Sequence, residues 1–351
     1  MRPRRLIQAG SLALLYLGSL AATVRGDEVV LVPNSTVKGA VGGRVRGAVQ
    51  TETPTEVTVK LGTTTISVPT GEIVSIKYDG QPPDMVLADL RESAGLLSEA
   101  ADLYKKAAAA AVGKPFVAQA ALFHQAKDTA EVAMADPARA AEAIVLLDAF
   151  VKGNASGRHV VAALETLARL QLQKGDVVAV EKTIAALEKQ PQGADRAAVL
   201  RARVFAKKGD HEKAISELDR MIKNSPEGST RQREARLAKA ESLATLKKFA
   251  EAETDVRAVI KATSPEDVQA QSAAYNTLGD CLRAAGKPKD ALLAYLHTDL
   301  LYAKDKEQHP RALANAAQIF RELKRDDRAD ELLQRLKQEY PQSPWLTPSR
   351  P

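Results

Sequence analysis

Residues 275–282 read YNTLGDCL, and Gly286, Ala291 and Tyr295 follow them. An aromatic residue, a Leu-Gly pair three positions on, a glycine that can end a helix and a small alanine suit two helices in close contact. The small residues let the helix axes approach, and apolar residues one turn away fill the groove between them. The stretch therefore predicts a helix–turn–helix hairpin.

Echoes of this hairpin run through most of the chain. Alignment on the residue that opens each second helix gives intervals of 39, 34, 38, 39 and 38 residues. Small residues recur twelve positions before this anchor in five of six blocks, and apolar residues recur four positions after it. The anchors are Ala141, Val180, Ala214, Ala252, Ala291 and Ala329; the earlier column is Thr129, Ala168, Ala202, Ala240, Gly279 and Ala317; the later column is Val145, Ile184, Leu218, Val256, Tyr295 and Leu333. Such a period predicts a stacked array of five or six helix pairs.

The chain resembles the tetratricopeptide repeat family over roughly 140–341. The clearest copy consists of Tyr275, Leu278, Gly279, Leu282, Gly286, Ala291 and Tyr295. Intervals of 38–39 residues exceed the usual family period of about 34, so some helices or turns are expected to be longer. The resemblance implies a mainly α fold: an α-α superhelix, here preceded by a small all-β, barrel-like domain.

The resemblance also implies a binding surface, because the first helix of each pair lines the concave groove in this family. Carried over to this chain, the groove positions include Arg169, Leu172, Arg203, Glu241, Asp280, Arg283, Gln318 and Arg321. Arginine can bind carboxylates through two hydrogen bonds. The expected partner is thus a protein or peptide, with acidic or C-terminal segments as candidates, while self-association is left open.

Residues 1–26 are typical of a secretory signal. Arg2, Arg4 and Arg5 precede an uncharged, Leu- and Ala-rich run over 9–24, and small residues follow at cleavage positions. The run has 16 residues, fewer than the roughly 20 that span a bilayer. We expect an exported, periplasmic or extracellular protein; an uncleaved inner-membrane anchor is the alternative.

Residues 27–83 have a different character from the rest. Val57, Val59 and Leu61 alternate with polar residues, and glycines interrupt several such runs. Alternation of this kind predicts four or five short strands in a bent sheet. The segment VPTGEIVSI at 68–76 resembles small SH3-like or Sm-like barrels. An adaptor that caps the helical body is one interpretation, and a site for a glycan or another envelope ligand is the other.

Proline-containing breaks divide the chain further. The segment QPPD at 81–84 ends the β domain, because prolines fix φ and Asp84 can cap the next helix. We predict atypical N-terminal helices over 84–139, repeats over 140–341 and a tail over 342–351, with Trp345 packed against the final helix.

The composition and motifs favour binding over catalysis. Five histidines lie apart without metal-ligand spacing, and phosphate-loop and nucleophile-elbow motifs are missing from the sequence. The single cysteine, Cys281, lies among leucines and is expected to be buried. Without residues 1–26 the chain has 46 basic and 44 acidic side chains, too balanced for nucleic acid. We therefore expect no enzyme, cofactor or metal, but an envelope scaffold that binds proteins through its groove.

Overall fold

The computed structural model describes residues 26–346 except positions 34 and 192. The expected signal segment lies outside the described residues apart from Gly26, as do the last five residues of the expected tail. Within the described ranges, no helix is both long and apolar enough to cross a bilayer.

Five antiparallel strands form the N-terminal module of the described chain. They are β1 (Asp27–Leu31), β2 (Arg44–Glu52), β3 (Glu56–Leu61), β4 (Thr64–Pro69) and β5 (Ile73–Lys77), in the order β4-β3-β2-β1-β5. The inward-facing residues of the alternating pattern are buried, including Val29, Val45, Val57, Val59 and Val68. The alternation over residues 57–61 therefore places valines in the core and Thr58 and Lys60 outside it.

The barrel-like closure expected from the sequence is wrong, because the sheet is open. Strands β4 and β5 are its two edges and do not pair with each other in the described chain. The helical part of the chain packs against the sheet: Ile76 of β5 and Phe116 contact both the sheet core and the neighbouring helical core. Gly47 allows the sheet to bend, since a Cβ at this position would overlap the carbonyl oxygen of Lys60.

Fourteen α-helices follow the sheet in the described residues. They are α1 (Pro83–Ser93), α2 (Leu97–Ala110), α3 (Pro115–Ala135), α4 (Ala140–Gly153), α5 (Val160–Lys174), α6 (Val177–Glu188), α7 (Gly193–Lys207), α8 (His211–Asn224), α9 (Thr230–Thr245), α10 (Phe249–Ala262), α11 (Val268–Ala284), α12 (Pro288–Leu301), α13 (Gln308–Glu322) and α14 (Asp326–Glu339). Several helices are capped at the N-terminus by a side chain; Asp210, for example, accepts a hydrogen bond from the Lys213 amide of α8. Consecutive helices form hairpins, and α3, α5, α7, α9, α11 and α13 each contact the next in that order. The predicted superhelix is confirmed.

The repeat columns match the burial of five hairpins but not that of the first. The anchor residues from Val180 to Ala329 are fully buried. Ala141 and Val145 are exposed instead, so their assignment to the columns is wrong. Helix α4 buries Ala143, Leu147 and Phe150, a stripe two positions further along. The alanines at the start of α4 would allow either Ala141 or Ala143 to face the neighbouring helix, and only the packing of the folded chain decides between them.

The best-matching hairpin packs as its sequence predicts. A Cβ on Gly279 would lie 2.5–2.8 Å from three atoms of the Tyr295 ring. Tyr295 is completely buried, and its hydroxyl donates to Asp280 Oδ1 at 2.6 Å. The glycine is therefore required by the close approach of α11 and α12.

The two ends of the helical array meet. Lys306 donates to the backbone oxygen of Ser93, and the amide of Ser98 donates to Gln342 Oε1 at 3.0 Å. A 3-10 turn at Pro344–Leu346 contacts α13, α14 and α3. Within this turn Trp345 packs against the C-terminal core, with the Arg311 guanidinium 5.9 Å from its ring centre. The array thus closes around a central space.

Candidate functional site

A central cavity of about 1010 Å³ lies inside the closed array. Its walls are the concave faces of α5, α7 and α9, together with β5 and parts of α1 and α3. This volume is at the upper end of the range of about 300–1,000 Å³ usual for ligand pockets. The cavity is the candidate site because it is lined by concave helix faces, which repeat proteins use for binding.

Helices α7 and α9 present the same arrangement with opposite charge. Arg196 and Arg203 flank Val199 and Leu200 on α7, and Glu234 and Glu241 flank Leu237 and Ala238 on α9. Residues seven apart lie on one face of a helix, with those three or four apart between them. An apolar band therefore crosses the cavity wall between two rows of charges.

The charges differ in how far they are already paired. Arg196 forms an ion pair with Glu165, and Arg169 Nη2 lies 3.6 Å from Glu307 Oε1. Among the described residues, no carboxylate lies within ion-pair distance of Arg203. Burial raises the pKa of Glu234, although the nearby arginines oppose this shift. Lys77, which also lines the cavity, likewise has no ion pair among the described residues, so Arg203 and Lys77 are the cavity cations most open to an incoming acidic group.

The predicted groove residues divide into two sets. Arg169, Arg203 and Glu241 line the cavity, whereas Leu172 is half-buried against the core between α5 and α7. Arg283 Nη1 donates to Gln318 Oε1 at 2.8 Å, and Asp280 binds Arg311. Arg321 pairs with Asp330 of α14 at 3.3 Å. The last two repeats thus use their equivalent positions for contacts between helices.

Sequence reasoning missed a second row of cavity residues. Arg196 and Glu234 precede Arg203 and Glu241 by seven residues, so a two-turn extension of the same helix face would have found them. The contributions of α1, α3 and β5 carried no such signal, because the repeat pattern fades before residue 140.

A half-buried polar cluster lines the cavity at α1 and α3. Glu92 accepts from Lys127 Nζ at 2.8 Å and from the Tyr104 hydroxyl at 2.6 Å, and it lies 3.0 Å from His124 Nδ1. Burial alone would raise the pKa of Glu92, but His124 and Lys127 outweigh it and lower the pKa. Glu92 is consequently the ionised centre of the cluster.

Asp128 lies beside this cluster and differs from Glu92 in its protonation state. It is completely buried, and neither carboxylate oxygen has a hydrogen-bond partner among the described residues. Lys127 Nζ, 3.6 Å away, is bonded to Glu92 instead. Burial, reinforced by the charge of Glu92, raises the pKa of Asp128 to about 8. Asp128 is therefore protonated in the folded chain at neutral pH.

A second buried network attaches the β module to the helices. Glu52 of β2 accepts from the Tyr78 hydroxyl at 2.5 Å and from Arg158 Nε at 3.2 Å. The side chain of Glu52 is only 1% exposed, and that of Arg158 11%. Burial, followed by the charge of Glu52, raises the pKa of Tyr78. Because Tyr78 and Arg158 also line the cavity, the network fixes β5 as part of its wall.

The possible metal ligands of the described residues lie apart, and Cys281 is buried. No group of three His, Cys, Asp or Glu side chains among these residues could hold a metal ion. Cys281 is buried, and burial raises the pKa of its thiol to about 12. Such a thiol is a core side chain rather than a nucleophile.

Comparison with known proteins identifies the repeats. One family model described as tetratricopeptide repeat matches residues 166–229 and 237–297, and a second matches 311–343. These segments of the chain are similar to tetratricopeptide repeats. The matched segments leave out α3 and α4, the hairpin in which the aligned residues Ala141 and Val145 are exposed. No curated protein matches the chain.

Solved structures with similar folds include several repeat proteins. A tetratricopeptide repeat protein from Parabacteroides merdae ATCC 43184 is 16% identical and has a TM-score of 0.45, with 73% of this chain and 91% of that chain covered. A Rap protein complexed with competence and sporulation factor is 13% identical and has a TM-score of 0.47, with 75% and 76% covered. A thermophilic repeat protein from Thermus thermophilus is 19% identical and has a TM-score of 0.40, with 51% and 91% covered.

Proposed function

We propose that this chain is an exported scaffold that holds a peptide segment of a partner protein in its central cavity. The observation that supports binding is the cavity wall of α7 and α9, where an apolar band lies between charged rows. Apolar contacts supply affinity there, and the charges orient the bound segment. Tetratricopeptide repeats generally serve as non-enzymatic scaffolds, which agrees with this use of the cavity.

The charges of the cavity favour a peptide over a polyanion. Its basic residues (Lys77, Lys127, Arg158, Arg169, Arg196 and Arg203) are nearly matched by its acidic ones (Asp89, Glu92, Glu131, Glu165, Glu234, Glu241 and Glu307). A nucleic-acid groove would carry an excess of positive charge. A segment with both apolar and charged side chains fits the wall better.

Charge reversal inside the cavity tests this function. Arg203→Glu and Glu241→Lys should each abolish recovery of the partner by crosslinking and pull-down from the native source, because both residues line the cavity. Arg321→Glu is the matched control, since Arg321 lies on the same array but outside the cavity. If all three variants recovered the partner as well as the wild type does, binding in the cavity would be contradicted.

Export to the cell envelope is the second part of the proposal. It is supported by the basic start, the 16-residue apolar run and the small residues of positions 1–26. Cell fractionation and N-terminal sequencing of the mature chain test it. A start at residue 22 or 27 in the envelope fraction is expected, whereas intact chain in the cytoplasm would contradict export.

A ligand site on the β module is a second candidate. A depression of about 650 Å³ beside β4 is lined by Thr36, Lys38, Thr64, Thr65, Ser67 and Glu72, among others. Its hydroxyl and charged groups suit the hydroxyls of a glycan. Binding of envelope polysaccharide that is lost in Lys38→Ala and Thr65→Val, but retained in Arg203→Glu, would support this site. Absence of polysaccharide binding by the intact chain would exclude it.

A further inference from the structure

Helices α7 and α9 place a cation and a carboxylate side by side on the cavity wall. They are the first helices of two consecutive hairpins, and they contact each other. Because only the antiparallel helix α8 lies between them in the chain, they run parallel. Arg203 and Glu241 each follow the buried alanine of their repeat, Ala202 and Ala240, so they lie at the same level along the two helices. The axes of packed helices are about 8–10 Å apart.

The equivalent residues of the flanking repeats are already paired within the chain. Arg169 Nη2 of α5 lies 3.6 Å from Glu307 Oε1, and Arg311 binds Asp280 of α11. The two residues of α7 and α9 differ, since neither forms an ion pair with any residue that the structure describes. The step from α7 to α9 is thus the part of this row where two opposite charges remain available to a ligand.

The row seven residues earlier has the same order of charges. Arg196 of α7 and Glu234 of α9 line the cavity, but Arg196 is paired with Glu165. Glu234 forms no ion pair within the described ranges, so α9 presents two carboxylates without a cationic partner. Leu237 and Ala238 lie between these carboxylates and line the cavity. The methylene groups of a Lys or Arg side chain can pack on this apolar surface while its charged head reaches a glutamate.

We propose that the bound segment carries a basic and an acidic side chain, and that it lies with the basic one against α9 and the acidic one against α7. This inference rests on the proposed function and specifies which segments the cavity accepts and in which direction they lie. Arginine binds a carboxylate through two hydrogen bonds, whereas the reverse direction brings like charges together and costs affinity. The two charges of the segment should lie about 8–10 Å apart, as the helix axes do, which about three residues of an extended chain span.

The experiment selects twelve-residue peptides from a random displayed library on the purified full chain and measures their Kd. We expect enrichment of peptides with a basic and an acidic residue about three positions apart. Glu241→Gln should weaken their binding about fivefold, and peptides whose basic residue is replaced by alanine should no longer respond to this substitution. Glu251→Gln is the matched control, because Glu251 is exposed on α10 outside the cavity, and it should leave the Kd within about twofold.

Exchange of the two charges and crosslinking give a readout of direction. The double variant Arg203→Glu/Glu241→Arg keeps the net charge and should weaken the selected peptides about tenfold or more, because both of their charges then meet like charges; circular dichroism checks that it folds. Peptides with a photoreactive residue beside the acidic position should crosslink to α7, and those with it beside the basic position to α9, as mass spectrometry can show.

The outcomes separate the order of charges from binding in the cavity. Peptides that crosslink to α7 and α9, but respond neither to Glu241→Gln nor to the exchange of charges, would overturn the order of charges and leave the cavity function standing. Crosslinks only outside the cavity, or failure to select any peptide, would overturn both.

Discussion

Substitution of Gly279 by alanine tests the close approach of α11 and α12. Alanine in place of a helical glycine normally stabilises by up to about 1 kcal/mol. Here the added Cβ would lie 2.5–2.8 Å from the Tyr295 ring, and overpacking of this kind typically costs about 1–3 kcal/mol. The ring has little room to yield, because Tyr295 is completely buried and bonded to Asp280. We expect a net loss of about 1 kcal/mol.

Two matched substitutions test whether contact with Tyr295 is the reason that Gly279→Ala destabilises the chain. In a Tyr295→Leu background the obstacle is shorter, so Gly279→Ala should stabilise by up to about 1 kcal/mol, a coupling of about 2 kcal/mol between the sites. At Gly153 an added Cβ meets nothing within 4 Å, so Gly153→Ala should not destabilise.

Urea unfolding followed by fluorescence measures these effects. The chain has one tryptophan, and Trp345 packs on the same core as Tyr295, so its signal reports on the C-terminal repeats. If Gly279→Ala matched or exceeded the stability of the wild type, close helix contact would not be the reason for the glycine.

Three further predictions concern buried polar groups and the thiol. Arg158→Ala should destabilise the chain by about 3 kcal/mol or more in urea unfolding, because it leaves the buried Glu52 unpaired; Arg220→Ala, which breaks an exposed pair with Glu217, should cost less than about 1 kcal/mol. The pKa of Asp128 is raised to about 8 when folded and is about 3.9 when unfolded, so its contribution to stability is complete below pH 4 and declines as the pH rises to 8. Asp128→Asn should flatten this decline by on the order of 1 kcal/mol per pH unit, and an unchanged slope of the urea midpoint between pH 5 and 8 would refute the assignment. The buried Cys281 thiol, with its pKa raised to about 12, should resist iodoacetamide in the native chain and react in urea, as mass spectrometry can show; fast native labelling would contradict its burial.

Local patterns explain why much of the fold could be predicted. The burial of the aligned residues from Val180 to Ala329 follows from the periodicity of side chains along a helix. Gly279 marks a contact within a single hairpin. The groove prediction includes Arg169, Arg203 and Glu241, which line the cavity because they lie on helices stacked in regular order; their role in binding stays a prediction. It failed to separate Asp280, Arg283 and Gln318 from them, because their bonds join α11 to α13 and depend on how far the array curves.

The sequence by itself determined the helical repeats, the strands of residues 27–77 and the break between them at 81–84. These features depend on side-chain periodicity and on Gly and Pro backbone preferences, which act over a few residues. Only the tertiary structure decided that the sheet stays open, that β5 forms a cavity wall and that the array closes on itself. These outcomes depend on contacts such as Glu52–Arg158 and Ser98–Gln342, which join residues 106 and 244 positions apart. No local pattern encodes such pairs, because each forms only after the curvature of every intervening hairpin has accumulated.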